Sequence, residues 1–274
     1  MNKLVSKIAA VAASAALVVG LAACGGSGSS SDASTDDSSS EASYTLVQDG
    51  KLTVVAELGF APFEYIDGDG NTVGFDVDMA NEVASRLGLT CEFLPSQQFD
   101  TIVPMIKQGG KADVAVTAMT ITDERLESVD FSDPYLASNQ ALITLASSDA
   151  TEESLNADGM QITCQAGNTG EAWIRENLPN ATVVPLADVT AGLMGVQTGL
   201  YNAMVVDLPV ATNMLSQSFS DLKVAEEIPT GEQYGIAVSK DNPGLTKAIN
   251  QALADMQSDG TMAQIETKWF GSEI

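Results

Sequence analysis

From Lys51 onward the hydrophobic positions alternate between two periods. KLTVVAEL (Lys51 to Leu58) is a short apolar run of the kind that forms a buried strand. GFDVDMANEVASRLG then sets Phe75, Met79, Val83 and Leu87 at helical spacing, with Asp76 near the start and Gly88 beyond the end. TCEFLP predicts a strand, FDTIVPMIKQGG a helix closed by glycines, and ADVAVTAM (Ala112 to Met119) another strand. A second series follows, with QITCQAG, ATVVPL, YNAMVVD and DLKVAEEI as strands and TGEAWIRENL, DVTAGLMGVQTG and LPVATNMLSQS as helices between them. YGIAVSK offers one more strand before two closing helices, LTKAINQALADMQSDG and TMAQIETKWF. Strands alternating with helices indicate an α/β protein whose parallel sheets carry helices on both faces.

Two series of similar size, with a strand and two helices left over, predict two lobes. The terminal helices need an apolar surface to cover, so they are expected to rejoin the first series. Lobe 1 is then 46–136 plus 235–274 and lobe 2 is 137–234. The chain crosses between them twice, near 135–142 and 228–235, through small or flexible residues suited to a hinge.

The N-terminus reads as an address. Lys3 and Lys7 precede a small apolar run that ends in Leu21, Ala22, Ala23 and Cys24, which makes 1–23 a signal peptide. Leu-Ala-Ala-Cys resembles a bacterial lipobox, implying cleavage before Cys24 and diacylglyceryl attachment to its thiol. The rest of 24–45 is rich in Ser, Gly and Asp and reads as a disordered tether. Each buried lipid methylene contributes roughly 0.8 kcal/mol, so two acyl chains suffice for stable anchoring. No later apolar stretch is long enough to span a bilayer. The expected mature product is an extracytoplasmic domain, lipid-anchored to the cell membrane.

Charge narrows the partners. The chain has 12 Lys+Arg against 37 Asp+Glu, a formal charge of −25 that becomes −27 once residues 1–23 take their two lysines away. Such acidity argues against nucleic acid and anionic headgroups. It leaves room for an anionic ligand group where the few cations are concentrated. The chain has no histidine, and Cys91 and Cys164 lie in separate strand-like runs. Zinc and histidine-based catalysis are therefore not expected, both thiols are read as buried and free, and no metal or cofactor is assigned.

Arg125 stands out in this acidic background. The apolar run up to Met119 ends in Thr120 and Thr122 and then delivers the arginine, whose planar guanidinium suits a small-molecule carboxylate. In open parallel sheets, ligands collect at strand carboxyl ends. Those ends present Glu57, Phe60, Ala118, Thr120 and Arg125 in the first series, and QAGNTG and Asp207 in the second. The Gly167–Gly170 turn would offer backbone N–H groups to an anion, or be an ordinary βα turn. Asp207 could be a helix N-cap or a ligand acid, Glu57 a solvated strand end or a site residue. Phe60 and Phe99 fit either core or an aromatic wall. Together these residues suit an α-amino acid zwitterion.

The chain resembles the bacterial family-3 solute-binding proteins, the polar amino-acid-binding proteins of ABC importers. The resemblance covers Lys51 to Phe270 and rests on APFEY at Ala61, VGFDVDMA at Val73, MTITDERLESVDFSDPY at Met119, QAGNTGE at Gln165, VVDLPVA at Val205 and EQYGIAVSK at Glu232, in family order. It implies a type II periplasmic-binding-protein-like fold, two parallel-sheet lobes joined by a two-strand hinge that close on the ligand. It also implies a monomer that delivers an amino acid to an ABC permease. By the same resemblance, Arg125 grips the α-carboxylate beside Thr120, the Thr169 N–H meets that carboxylate, and Asp207 takes the ammonium. Ala118 offers only its carbonyl where Ser is common, and Phe60 lacks the hydroxyl of the usual Tyr. Glu57, where Asp is common, and Gln165 would face the ligand side chain.

Three alternatives bear on this reading. DGDGNTVGFDVD, from Asp67, looks like a calcium loop, but Thr72 stands where that loop needs glycine and Asp78 where it needs glutamate, so a turn leading into a helix is expected. The same fold can host a dehydratase of cyclohexadienyl acids, which would need Glu57 as its general acid, and nothing in the sequence raises that carboxyl's pKa. A sensor role would require a separate signalling protein. The bound amino acid stays open, with acidic Glu57 favouring a polar or cationic side chain over an acidic one.

Overall fold

The computed structural model describes residues 43–272, so the expected signal peptide, Cys24 and most of the expected tether lie outside the described residues. Residues 43–45, at the end of the stretch read as tether, pack on the fold. Asn242 Nδ2 donates to the Thr45 carbonyl, and Tyr44 lies against the core.

The first lobe opens with β1 (Lys51–Val55), followed by a small meander of β2 (Gly59–Phe60), β3 (Glu64–Ile66) and β4 (Thr72–Val73). Then come α1 (Phe75–Arg86), β5 (Thr90–Phe93), α2 (Phe99–Gln108), β6 (Val114–Ala115), α3 (Asp123–Leu126) and β7 (Asp130–Phe131). The chain leaves along β8 (Leu136–Leu145). The second lobe adds α4 (Glu152–Leu155), β9 (Gln161–Gln165), α5 (Thr169–Asn177), β10 (Thr182–Leu186), α6 (Val189–Gln197), β11 (Ala203–Asp207) and α7 (Leu208–Gln217). It returns along β12 (Leu222–Tyr234) to β13 (Ala237–Val238), α8 (Pro243–Ser258) and α9 (Thr261–Phe270).

The strands form two five-stranded sheets, ordered β5-β1-β6-β13-β7 and β10-β9-β11-β8-β12. Purely parallel sheets are the expectation from strand–helix alternation. Both sheets are mixed instead. β1 runs parallel to β5 and β6, and β9 runs parallel to β10 and β11, because a helix returns the chain between each pair. β8 and β12 carry the chain out and back, so they oppose each other, and β8 also opposes β11. β13 enters from the far side and pairs antiparallel with both β6 and β7.

The two crossing strands hold each other along their length, from Leu222 opposite Leu145 to Tyr234 opposite Leu136, with a register shift between Ile228 and Glu232. They then bind the first lobe. Tyr135 N–H donates to the Tyr234 carbonyl, Gly235 N–H donates to the Met119 carbonyl, and Thr120 bridges to Tyr234. The closing helices rejoin the first lobe, α9 against α1, as the need for apolar cover dictates.

The Asp67 segment is a turn between β3 and β4. Asp67 Oδ1 accepts from the N–H groups of Asp69 and Asn71, at 2.9 and 2.8 Å. Gly74 closes this passage at φ 141°, where a Cβ would sit 1.9 Å from the Phe63 carbonyl oxygen. Only glycine fits that approach. Cys91, half-buried in β5, and Cys164, buried in β9, are free thiols in different sheets. No helix among the described residues is long and apolar enough to cross a membrane.

Candidate functional site

The candidate residues converge because each ends a strand or opens a helix at the face where the lobes meet. Glu57 follows β1, and its N–H donates to Thr117 Oγ1 at 3.1 Å. Phe60 ends β2 and Phe99 opens α2. Ala118 and Thr120 follow β6, and Arg125 sits in the short α3, whose N-cap Thr122 accepts the Arg125 N–H. From the second lobe come Gln165 at the end of β9, Thr169 at the start of α5 and Asp207 at the end of β11. All nine residues line one narrow cleft, together with Thr117 and Asn168.

Arg125 is held from both lobes. Its Nη1 donates to the Thr120 carbonyl at 2.7 Å, its Nη2 reaches the Gly167 carbonyl at 3.0 Å, and its guanidinium lies 5.2 Å from the Phe99 ring centre. Burial pulls its pKa down, while Asp207 and Glu232 oppose that pull. Asp207 stands at the N-cap position of α7 but makes no capping bond with its side chain. Its Oδ1 instead receives Gln140 Nε2. Burial, and then the neighbouring charge of Glu232, push the Asp207 carboxyl up to about 7. Burial likewise raises Glu57 to about 7, against Gln165, which lowers it, and with Asp188 adding to the rise.

Two further residues at this face escaped the sequence reading. Glu232 Oε2 accepts from the hydroxyls of Thr120 and Thr169, each at 2.9 Å, and from Gln140 Nε2 at 3.1 Å. It therefore joins a first-lobe hydroxyl to a second-lobe hydroxyl from the crossing strand β12. Gln140, on the opposed strand β8, separates Asp207 from Glu232 by donating to both. Glu232 lies in EQYGIAVSK, but only the pairing of β8 with β12 aims it at Thr120 and Thr169. At the Gly167–Gly170 turn, Gly167 N–H is already bonded to Glu171 Oε2 at 2.9 Å and Glu171 N–H to Asn168 Oδ1, so those groups are not offered to an anion. A buried amide donor, Asn168 Nδ2, has no hydrogen-bond partner and belongs to a side chain that lines the cavity. Such a group calls for an acceptor on a ligand.

The cavity is lined by two acidic side chains, Glu57 and Asp207, and one guanidinium, while Glu232 bonds to the lining residues Thr120 and Thr169. Arg125 is influenced by Asp207 and Glu232, whereas Glu57 groups with Gln165 and Asp188.

Residues 52–272 match the model of the bacterial extracellular solute-binding proteins, family 3. The chain is 30% identical over 226 residues to the L-cystine-binding protein TcyJ of Escherichia coli (strain K12), covering 82% of this chain and 84% of that protein. Among solved structures, an ancestral arginine-binding protein bound to arginine is 37% identical with a TM-score of 0.77, covering 81% of this chain and 98% of that one. The ancestral amino acid-binding protein AncCDT-1, a precursor of cyclohexadienyl dehydratase, is 33% identical with a TM-score of 0.75, covering 81% of this chain and 96% of its own.

Proposed function

The chain belongs to the bacterial extracellular solute-binding proteins of family 3, and from that premise we propose that it captures an amino acid with a basic side chain between its two lobes. It then delivers the ligand to an ABC permease while anchored to the cell membrane through the lipid on Cys24. The observation that carries the ligand reading is that Arg125 and Asp207 line one cavity and influence each other's charge, while Glu57 lines it beside Gln165. The α-carboxylate meets Arg125 and the α-ammonium meets Asp207. The side chain points to Glu57 and Gln165. A neutral amino acid leaves the excess of acids over Arg125 unchanged, whereas a cationic side chain offsets Glu57. Closure follows because such a ligand touches both lobes at once.

A thermal-shift panel of L-arginine, L-lysine, L-ornithine, L-glutamine, L-cystine and L-glutamate tests this. Ligand at about 100 times its Kd stabilises by roughly 2.7 kcal/mol. The basic amino acids should give the largest shifts. A response confined to L-glutamate, or to none of the panel, would overturn the reading.

One observation favours a second reading. Glu57, at about 7, has the pKa that a general acid needs in a dehydratase. Turnover of arogenate or prephenate by the purified protein would establish that activity. The absence of turnover, with a basic amino acid bound, supports transport alone.

A further inference from the structure

Behind the cleft wall lie two carboxyl groups that ligand capture does not use. Glu64, in β3, and Asp76, the second residue of α1, are both 0% exposed. Asp76 Oδ2 accepts the Ala118 N–H at 2.6 Å and the Tyr135 hydroxyl at 3.0 Å. Glu64 Oε1 accepts the Thr117 hydroxyl at 2.8 Å, and Thr117 in turn accepts the Glu57 N–H. The two carboxyls are within hydrogen-bonding reach of each other, yet Glu64 Oε2 and Asp76 Oδ1 are buried with no donor from the protein.

No cation answers this pair. The titratable groups that face it are Glu57 and Tyr135, with Tyr234 behind Tyr135, and none of them supplies positive charge. Two adjacent bare carboxylates in such a place repel each other and leave two acceptors unmet. One proton removes both penalties. We propose that Glu64 and Asp76 share a single proton between Oε2 and Oδ1, and that the pair is the positioning device that fixes Thr117 and Ala118 on the cleft wall and Tyr135 at the start of β8.

Ala118 shows why positioning is needed. At φ 45° it is the one non-glycine residue with positive φ among the described residues, a conformation that persists only where its surroundings impose it. The Asp76 carboxyl imposes it by holding the Ala118 N–H. The same oxygen holds Tyr135, whose own N–H bonds to Tyr234 across the two crossing strands. Burial and the neighbouring Asp76 charge raise Glu64 well above its ordinary range, and burial brings Asp76 to about 6 against the bonds from Ala118, Tyr135 and Glu64, in keeping with a proton retained at neutral pH. The pair titrates as a unit. The positioning of the cleft wall rests on the ligand reading above, whereas the shared proton does not, so the test uses unliganded protein.

Infrared spectra at pH 8.5, where Glu57 and Asp207 (both raised to about 7) are largely ionised, should show a protonated carboxylic acid in the wild type. Glu64→Gln and Asp76→Asn should each abolish that band, since an amide hydrogen takes the proton's place. Glu64→Gln should leave hydrogen exchange at the Ala118 amide within about threefold of wild type, and Asp76→Ala should speed it by about tenfold or more. As pH rises above 4.5, the ordinary Glu value, the unfolded chain releases a proton that the fold retains. The wild-type folding equilibrium should then weaken by up to about tenfold per pH unit relative to Glu64→Gln. Should Asp76→Ala fail to fold, the wild-type and Glu64→Gln spectra still decide. A wild type without the band, a band that survives both amide substitutions, or fast Ala118 exchange in Glu64→Gln would overturn the proposal.

Discussion

Asp207→Asn should make the unliganded protein more stable at neutral pH and the ligand complex weaker. The carboxyl is buried and raised from 3.8 to about 7, which corresponds to about 4 kcal/mol between its protonated and ionised forms. The sign follows from where the proton goes. Below pH 4 the folded and unfolded chains both hold it. Between pH 4 and 7 the unfolded chain releases it and the fold retains it, so stability falls as pH rises, and above 7 the loss is complete. Asparagine removes that slope. The rise to about 7 already includes the opposing bond from Gln140, so asparagine should gain up to about 4 kcal/mol at pH 8. Binding should move the other way, because an ammonium buried without its acid costs about 2–5 kcal/mol. Urea denaturation of both proteins at pH 5 and pH 8, with calorimetric titration of L-arginine, reads both effects. If the two proteins lose equal stability between pH 5 and pH 8, Asp207 is not a buried acid held for a cation.

Several other outcomes are accessible. L-Arginine binding should release protons at pH 6 and almost none at pH 8.5, as titrations in buffers of different ionisation enthalpy would show, because the ligand's charges ionise Asp207 and Glu57. Uptake of protons at pH 6 would contradict those assignments. Arg125→Ala should abolish detectable binding of any amino acid, since both of the guanidinium's lobe contacts and its carboxylate partner vanish together; near-normal affinity would remove Arg125 from the site. Glu57→Gln should reduce the preference for L-arginine over L-glutamine by about tenfold or more while leaving the protein folded. Gly74→Ala should prevent normal folding of the first lobe, visible as lost soluble yield or a much lower Tm, because no residue with a Cβ fits 1.9 Å from the Phe63 carbonyl oxygen.

The fold was legible in the sequence wherever one period ran long enough. Helix α1 was clear because Phe75, Met79 and Val83 repeat at helical spacing and are all buried. The mixed sheets were not, because β8 reads LASNQALITL, where the crossing function is carried by its pairing with β12 and not by its composition. The β2–β4 meander was also hidden, its strands being only two or three residues long. Strand ends pointed to Glu57, Arg125 and Asp207, which line one cavity because topology places such positions at the cleft. Glu232 and Gln140 stayed hidden because they act from within the two long crossing strands, and a strand position gives no local sign of which hydroxyl its side chain will meet. Glu57 shows a different limit. Its residue type was evident, but its raised pKa arises from burial among elements far apart in the chain.

The proposed zwitterion clamp between Arg125 and Asp207 is tested most directly by calorimetric titration of the wild type with L-arginine and its two truncated analogues, agmatine without the carboxylate and 5-guanidinopentanoate without the ammonium. Each deletion leaves one buried charged group of the cleft unanswered. Each analogue should therefore bind at least about 30-fold more weakly than L-arginine, the equivalent of about 2 kcal/mol. Binding of either analogue within a few-fold of L-arginine would contradict the clamp.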